Sequence, residues 1–422
     1  MPEIVVMKFG GTSVADAERI KRAAKRIVEK REAGYSVVVV LSARGKTTDE
    51  LISMAEEVSA APDPREMDML LSTGERISCA LCAMAIHDRG HRAISLTGSQ
   101  AGIVTDASHT KARIIDVRAD RILSALADDR IVLVAGFQGV STTSSDVTTL
   151  GRGGSDTTAV ALAAAVGAEV CEIYTDVPGV FSADPRIVPN ARKLASVSFE
   201  EMLEMAASGA GVLQLRSVEY ARNYGVRIHC RSSFEDSPGT VVVSEGENME
   251  KALITAVTHS TSDSMVTLIG VRHEPGVAAR IFEALAEANV NVDMIDQNVP
   301  TSAGGNAEIS FTVPHEDLRV ATGALEPMAS DVFVSMSTRS EMGKVSIVGA
   351  GMRSHPGVAA KVFRVLNDEG INIEMISTSP IKISCVIARE HVERAVQALH
   401  SAFELSGEGT ISQEEPFKAR IA

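Results

Sequence analysis

Alternating strand-like and helix-like segments fill the first 245 residues and restrict the fold more than any other feature. Apolar, β-branched runs predict strands at 4–7, 37–41, 93–96, 131–135, 170–174 and 226–230. Apolar residues at helical spacing predict helices at 17–32, 49–58, 78–87, 117–126, 157–166, 199–207 and 218–224. This alternation is typical of an α/β domain with a mainly parallel sheet sandwiched by helices. Ligands of such sheets bind beyond the carboxyl ends of the strands.

A tandem repeat follows a polar, glycine-bearing linker at 244–248. The segments 266–270, 273–279 and 291–295 reappear as 345–349, 355–360 and 372–376. Each copy reads as strand, Pro-Gly turn, helix and strand, then a further strand and helix, which predicts two ferredoxin-like βαββαβ modules with sheets joined side by side. The expected domains are 1–245, 262–337 and 343–405. Such modules serve either in dimerisation or as sensors, because the turn leaves helix N-terminal N–H groups free for a carboxylate.

Charge and composition exclude several functional classes. The formal net charge of −14 argues against nucleic acid as a partner, since a phosphate-binding surface needs basic residues. No uncharged apolar run reaches the roughly 18 residues of a membrane span, and no basic leader precedes the first strand, so we expect a cytoplasmic protein without membrane contact. The five cysteines disfavour a disulfide framework, and Cys79 and Cys82, a C-x-x-C pair in an apolar helical run, read as core residues.

The segment Lys8-Phe-Gly-Gly-Thr12 is the first candidate for phosphate binding. It joins a strand to a helix, so backbone N–H groups, the helix dipole and a lysine charge converge there. Taken alone, it also fits an ordinary glycine turn. Other polar clusters lie at the ends of predicted strands, at 42–48, 73–76, 136–139, 149–158, 174–177 and 181–186. Singly these also have structural explanations: Glu75 and Asp156 fit helix caps, and Arg186 fits a partner for Asp184.

Together and in this order, the clusters and the repeat resemble the aspartate kinases of the amino acid kinase superfamily, which carry two C-terminal ACT modules. The resemblance runs from Val5 to Phe403, and its most specific segments are 8–12 and Gly151-Arg-Gly-Gly-Ser-Asp156. It implies ATP-dependent phosphorylation of L-aspartate to 4-phospho-L-aspartate, the first step toward lysine, threonine, methionine and isoleucine. Mg²⁺ would bridge the nucleotide phosphates. The sequence contains neither a P-loop motif nor the protein-kinase motifs.

The resemblance also implies roles for individual residues. Lys8 would contact the transferred phosphoryl group, Asp156 would organise Lys8 and the phosphates, and Arg152 would hold a substrate carboxylate. The implied nucleotide site also contains Gly10, Gly11, Ser155, Thr175, Asp176, Phe181, Asp184, Arg186 and Gly211. The implied aspartate site also contains Ser42, Thr47, Thr48, Glu75, Gly153, Gly154 and Ser155, with Glu75 as counter-charge for the substrate ammonium. No protein metal site is implied.

One position departs from the family pattern. The segment 209–216 normally carries a lysine at its third position, close to the nucleotide phosphates, where this chain has Gly211. Losing one charge-assisted contact costs about 1.5–3 kcal/mol, or roughly tenfold to a hundredfold in binding or rate. Three interpretations stay open: a slow aspartate kinase, a relative acting on another amino acid, and a weakly active ACT-bearing sensor or regulatory subunit. Arg44 and Lys46 are candidates to replace the missing charge.

The resemblance implies an amino-acid effector between the two modules. Its contacts would be His273, Glu274, Pro275, Gly276, Val277, Asn291, Val292, Asp293 and Gln297 from the first module and Asn372, Ile373, Ser379 and Pro380 from the second. Lysine-responsive relatives tend to have acids at the positions of His273 and Pro380, so threonine is the better candidate.

Unpaired strand edges predict a homo-oligomer. Some members also make a shorter ACT-only subunit from an internal start, and Met249 lies where the linker ends.

Overall fold

A computed structural model of the chain describes residues 2–244, 253–298 and 306–407. Within these residues the strands, numbered in chain order, are Ile4–Phe9 (β1), Ser36–Leu41 (β2), Ala93–Leu96 (β3), Ile103–Thr105 (β4), Ile114–Val117 (β5), Ile131–Ala135 (β6), Gln138–Ser141 (β7), Val147–Thr149 (β8), Val170–Thr175 (β9), Ser196–Ser198 (β10), Arg227–Ser232 (β11), Thr240–Val243 (β12), Ala256–Val271 (β13), Ile295–Asn298 (β14), Ala307–Pro314 (β15), Ser335–Val348 (β16), Met375–Ser379 (β17) and Lys382–Ala388 (β18).

The helices alternate with the strands in the first half of the chain and continue through the repeat. They are Ala17–Glu32 (α1), Thr47–Val58 (α2), Pro64–Leu71 (α3), Thr73–His87 (α4), Asp120–Ala127 (α5), Gly154–Val166 (α6), Phe199–Ala207 (α7), Leu215–Tyr224 (α8), Val277–Glu287 (α9), Leu318–Leu325 (α10), Val358–Asp368 (α11) and Val392–Ala402 (α12).

An eight-stranded sheet organises the first half, with the strand order β10-β12-β11-β9-β1-β2-β6-β3. All neighbouring pairs are parallel except β11 with β12. Alternate residues of β1 and β2 contribute to separate cores: one is covered by α1 and α4, the other by α5 to α8. The predicted parallel sheet with helices on both faces is therefore confirmed. Cys79 and Cys82 are buried in the first of these cores.

The register of the central strands places their carboxyl ends at one edge. Phe9 is paired with both Leu41 and Tyr174, and Leu41 is paired with Ala135. The segments that leave β1, β2, β6 and β9 therefore start side by side. Each of these segments carries one of the polar clusters read from the sequence, so the fold gathers four of them at a single edge.

A second, four-stranded sheet with the order β5-β4-β7-β8 was not predicted from the sequence. Its strands are only three or four residues long, too short for the alternation that marks a strand. The helix predicted at 117–126 begins at Asp120, because Val117 ends β5. Helix α4 begins at Thr73 rather than at 78, which puts Glu75 in its first turn. Helix α3 was also missed.

The stretch Pro64–His87, which comprises α3 and α4, has the length and apolar composition of a membrane span. The sequence analysis above predicts no membrane span. Half of its most apolar window is buried inside the protein, and Cys82 and Ile86 pack in the core beside α1. A core helix of an α/β domain passes the same test of composition, so this stretch gives only weak support for a membrane contact.

The repeat forms one six-stranded antiparallel sheet with the order β14-β15-β13-β16-β18-β17. The two modules thus join side by side through β13 and β16, as expected. Both joining strands are long and serve both modules: residues 256–260 pair with 344–348, whereas 265–269 pair with 335–339. The second module therefore takes a strand from the chain before the first module, and Val257 packs in its core. The domain boundaries given above stay a prediction, and residues 245–248 of the linker and Met249 lie outside the described residues.

Candidate active site

Lys8 and Asp156 meet at the edge where the central strands end. The side chain of Lys8 points to the same face of the sheet as Val6, two residues earlier, and that face is covered by α6. Asp156 lies in the first turn of α6, and its Oδ1 is 2.5 Å from Nζ of Lys8. The two side chains are only 11% and 8% exposed. Lys8, named from the sequence pattern, and Asp156, named from the family resemblance, thus form a nearly dry ion pair.

Gly10 and Gly11, which follow Phe9 at the end of β1, have different structural roles. The N–H of Gly10 donates to the carbonyl oxygen of Tyr174 at 3.2 Å, which extends the pairing of β1 with β9 by one residue. The expectation that this amide is free for phosphate is therefore wrong. A Cβ on Gly11 would lie 2.8 Å from the carbonyl oxygen of Ala43, so glycine permits the close approach of the chain after β2.

Glu75 is a buried carboxylate with one oxygen unused. It is 3% exposed, and Oε1 accepts a hydrogen bond from the N–H of Ala43 at 3.2 Å. Among the residues that the structure describes, Oε2 has no hydrogen-bond partner. Burial raises the pKa of Glu75 to about 7, although backbone N–H groups and the charge of Arg76 oppose this shift. A cationic group that reached Oε2 would restore the ionised form.

The loop after β2 lies between Lys8 and Glu75. Its first residue, Ser42, donates its N–H to the carbonyl oxygen of Phe9 at 3.1 Å, and Thr47 with Thr48 begins α2. A Cβ on Gly74 would lie 2.8 Å from Cβ of Ala43 and 3.6 Å from Cγ2 of Thr47, so this loop packs against the start of α4. The predicted aspartate-binding residues of both segments are therefore neighbours.

Arg152 stands on a turn made by glycines. Gly151 and Gly153 both have a φ of 74°, the left-handed conformation that glycine adopts without strain. The side chain of Arg152 is exposed and forms no ion pair with the residues described in the structure. Ser155 packs closely against Gly136, because a Cβ added to Gly136 would lie 2.8 Å from the hydroxyl oxygen of Ser155. The turn thus presents an exposed guanidinium just before α6, four residues ahead of Asp156.

The predicted nucleotide residues after β9 are partly engaged with one another. Nη2 of Arg186 is 2.7 Å from Oδ2 of Asp184, and hydrogen bonds from this guanidinium lower the pKa of Asp184. The hydroxyl of Thr175 is 3.0 Å from Oδ1 of Asp176. Phe181 pairs with Lys193 in an isolated bridge. The pair uses Nε and Nη2 of Arg186, so the other N–H donors of this exposed guanidinium lie outside it.

The same segment contacts the second module of the repeat. The N–H of Val257 donates to the carbonyl oxygen of Ser182 at 2.7 Å, and the Ser182 hydroxyl lies 2.9 Å from Nε2 of His400 on α12. Nearby, Oε1 of Glu201 on α7 accepts from the Thr255 hydroxyl at 2.7 Å and from the N–H of Ala350 at 3.0 Å. The site and the repeat thus share a polar, well-bonded interface.

Gly211 stands in open space. An added Cβ would meet no heavy atom of the described residues within 4 Å, and the φ of Gly211 is not in the left-handed region. Its neighbour Gly209 differs, with a φ of 105° and a Cβ position only 1.8 Å from the carbonyl oxygen of His259. The loop reaches the Arg152 turn at its far end, because the side chain of Gln214 fills the space beside Gly153.

Gly211 is therefore a site where the family lysine can be restored. We expect Gly211→Lys to lower the KM for ATP or to raise kcat by about tenfold, the value of one charge-assisted contact. Steady-state kinetics with varied ATP measures this effect. Gly211→Gln, which adds a chain of similar length without charge, is the matched control. A loss of activity with intact folding would mean that the loop is adapted to glycine.

The expected effector residues fall into two separated sets. Six of them line one cavity of about 360 Å³ beside the start of α9. They are His273, Glu274, Pro275, Gly276, Val277 and Gln297. Strands β14 and β17 are the opposite edges of the six-stranded sheet, so Gln297 and Ser379 lie about 24 Å apart at the usual strand spacing. One chain therefore does not bring Asn372, Ile373, Ser379 and Pro380 to this cavity, which corrects the expected single site.

Another expected effector residue, Asp293, is already paired. Its carboxylate accepts a hydrogen bond from Nζ of Lys344, whose side chain is buried. In the second module, Asn372 donates to Glu374 at 3.3 Å, and Glu374 pairs with Arg339. Asp293 and the equivalent residue of the second module, Glu374, thus both form ion pairs near the junction of the modules.

The comparisons with known proteins agree with this geometry. The amino acid kinase family model matches residues 3–232, and an ACT domain model matches residues 266–327 and 345–403. These matches define an amino acid kinase with a C-terminal ACT region. The aspartokinase of Mycolicibacterium smegmatis is 57% identical over 408 residues, which cover 96% of this chain and 97% of that protein. The aspartokinase of Corynebacterium glutamicum is 52% identical over the same length, again covering 96% and 97%.

A solved structure shows the same fold throughout. Escherichia coli aspartokinase III in complex with aspartate and ADP is similar with a TM-score of 0.82 and 28% identity, covering 95% of this chain and 99% of that one. The chain therefore belongs to the aspartokinases, the aspartate-phosphorylating branch of the amino acid kinase family.

Proposed function

We propose that this chain transfers the γ-phosphoryl group of ATP to the side-chain carboxylate of L-aspartate at the edge where β1, β2, β6 and β9 end. The observation that carries the assignment is the buried Lys8–Asp156 pair together with Oε2 of Glu75, at the start of α4, which has no hydrogen-bond partner among the residues that the structure describes. In this assignment Lys8 binds the transferred phosphoryl oxygens, Arg152 binds the α-carboxylate of aspartate, and Glu75 binds its ammonium.

The reaction needs no general base, because the acceptor carboxylate is ionised at neutral pH. The work of the site is to hold two anions together and to stabilise the charge on the group in transfer. Asp156 holds the ammonium of Lys8 at the strand ends. The helix α6 adds its N-terminal dipole near the phosphates.

Magnesium is proposed to arrive with the nucleotide. Within the described residues, no group of three or more His, Cys, Asp or Glu side chains is arranged to hold a metal ion. Mg²⁺ commonly keeps several waters and bridges the phosphates of a nucleotide, so a protein cage is not required. When bound, it would neutralise part of the phosphate charge.

We also propose a cytoplasmic location, where ATP and free amino acids are available.

The test is a coupled ADP-release assay across a panel of amino acids, with hydroxylamine trapping of the acyl phosphate. We expect L-aspartate to give the highest kcat/KM and a hydroxamate product. The identity to aspartokinases over nearly the whole chain does not favour another acceptor or a purely regulatory subunit. Faster turnover with a different amino acid, or no turnover at all, would contradict the proposal.

We further propose an amino-acid effector site that two protomers complete. Escherichia coli aspartokinase III has been solved with lysine and aspartate, and it is similar with a TM-score of 0.72 and 28% identity over 95% of this chain. The cavity at the start of α9 offers the amide groups after Gly276, which has a φ of 90°. Since the second-module residues lie at the other edge of the sheet, a partner would supply them.

Lysine alone should inhibit weakly or not at all. The positions that carry acids in lysine-responsive relatives are His273 and Pro380, which offer a lysine ammonium no carboxylate. The lost pairing exceeds the roughly 1.4 kcal/mol that corresponds to a tenfold change in affinity. Threonine has no ammonium side chain and is the better candidate effector. Initial rates with each amino acid test this, and sub-millimolar inhibition by lysine without threonine would contradict it.

Assembly should depend on the exposed edge strand of the first module. All residues of β14 are exposed, and Ile295 presents 55% of its surface. We expect Ile295→Lys to shift the protein toward monomer in light scattering, because it charges an apolar edge. Ile115→Lys, on a similarly exposed residue of β5, is the control. An unchanged mass for Ile295→Lys would exclude β14 from the interface. An added ACT-only subunit from Met249 is proposed to use the same edge.

A further inference from the structure

Asp68 on α3 is a buried carboxylate with no assigned role. It is fully shielded from solvent. Its oxygens accept hydrogen bonds from the Thr149 hydroxyl at 2.5 Å, from Nδ1 of His109 at 2.7 Å and from the N–H of Thr110 at 3.1 Å. A carboxylate that is ionised only accepts, so Nδ1 of His109 is the protonated ring nitrogen in this contact. Every donor around Asp68 therefore points at it, as a buried anion requires.

The groups held by Asp68 belong to two chain segments that run side by side. One is the connection between β4 and β5, and the other is the end of β8. The N–H of Ala112 donates to the carbonyl oxygen of Thr149 at 2.9 Å. The guanidinium of Arg216 joins the same segments, because it donates to Leu150 at 2.7 Å and to Ala112 at 3.1 Å. Asp68 and Arg216 thus each bind both segments, and together they form a clamp on the pair.

The clamp also holds a strained residue against the Arg152 turn. Thr110 has a φ of 64°, a left-handed conformation that is rare for a β-branched residue. Its carbonyl oxygen lies 3.1 Å from the position that a Cβ of Gly151 would take. The N–H of Thr110 donates to both oxygens of Asp68, which stabilises this conformation. Strain that is held in place next to a functional turn points to a positioning role.

We propose that Asp68 is a positioning residue that sets the Arg152 turn and thereby the affinity for the aspartate substrate. Thr149, which Asp68 holds directly, is only three positions before Arg152. A free, exposed guanidinium loses affinity for a carboxylate when its turn can move, because the two hydrogen bonds of a bidentate contact need a fixed plane. This inference rests on the proposed function of Arg152 in binding aspartate.

The experiment compares variants of the full chain by steady-state kinetics for both substrates. Thr149→Val removes only the hydroxyl that joins β8 to Asp68, and Asp68→Asn removes the charge. We expect each to raise the KM for aspartate by about tenfold, the effect of one hydrogen bond to a charged group, with the KM for ATP within about twofold. Asp106→Asn is the control, since Asp106 accepts from Ser108 and Arg113 in the same connection without reaching β8.

Arg152→Ala separates this inference from the assignment on which it rests. An unchanged aspartate KM in Arg152→Ala would remove the proposed role of Arg152. If Arg152→Ala raises it, Thr149→Val should add little in that background, because both changes act on one contact. Asp68 would be only structural if Thr149→Val and Asp68→Asn left the aspartate KM unchanged, or raised both KM values alike. Thr149→Val keeps two donors on Asp68, Nδ1 of His109 and the N–H of Thr110, so the test stands even if Asp68→Asn does not fold.

Discussion

Lys8→Ala should lose at least about a hundredfold in kcat, the scale seen when one donor to a transition state is removed. Lys8 is the charged group at the meeting point of β1 and α6, and its ammonium lies 2.5 Å from Asp156. A cation held in a site this dry acts more strongly than one in water, because the effective dielectric constant is lower. The coupled ADP-release assay at saturating ATP and aspartate measures the loss.

Removing Lys8 alone leaves Asp156 buried without its partner, which costs about 3–5 kcal/mol of stability in comparable pairs. The double variant Lys8→Met with Asp156→Asn removes both charges and separates folding from chemistry. We expect it to fold and to stay inactive. Lys25→Ala, at an exposed lysine of α1, should keep full activity. Near wild-type turnover in Lys8→Ala would refute the assignment of the active site.

Glu75→Gln should raise the KM for aspartate by about thirtyfold to a hundredfold, because a buried ammonium would lose its charged partner. In the wild-type protein the KM should fall as the pH rises through the pKa of Glu75, which is about 7. The ionised form, which binds the ammonium, predominates only above that pH. The glutamine variant should lose this dependence. A flat KM profile in the wild type would contradict the role.

Stability gives an independent measure of the same group. The pKa of Glu75 is raised from 4.5 in a free side chain to about 7 in the fold, so the folded protein binds the proton more tightly. Stability should therefore fall by about 3 kcal/mol as the pH rises between these two values and stay level above them. Glu75→Gln should lack this decline and be the more stable protein at about pH 8. Glu66→Gln, at an exposed carboxylate of α3, should behave as wild type in urea unfolding.

Capping residues allowed the bounds of some helices to be predicted without error. Helices α1 and α7 have the predicted bounds, because Asp16 caps the first and Ser198 with Glu201 forms a capping box at the second. Lys8 was named from its place at a strand end before a glycine pair, whereas Asp156 was named from the family resemblance, and the structure brings the two together. The Gly10–Tyr174 bond and the network of Asp68 were not. They depend on contacts between segments about 40 to 160 residues apart, which periodicity cannot reveal.

Asp68 did leave a trace in the sequence, as a lone acid in the apolar run from Met67 to Leu71. An acid in such a place is either exposed or fully bonded, and only the fold decides between them. The sequence contains no comparable signal that β13 and β16 are shared by the two modules. Residues 256–260 pair with 344–348, although the whole first module lies between them in the sequence. Two consecutive, self-contained copies of the repeat would not contain this pairing, so the repeat pattern does not predict it.

The shared strand β13 also dictates the order in which the chain can fold during synthesis. The first module has all its strands once residue 339 has been made, whereas residues 256–260 must wait for 344–348 and for the core supplied by α11 and α12. A nascent chain therefore carries a half-paired strand until the last helix emerges. Any shorter product must begin before Ala256 to keep that strand, and a start at Met249 meets this condition, whereas a start inside β13 does not.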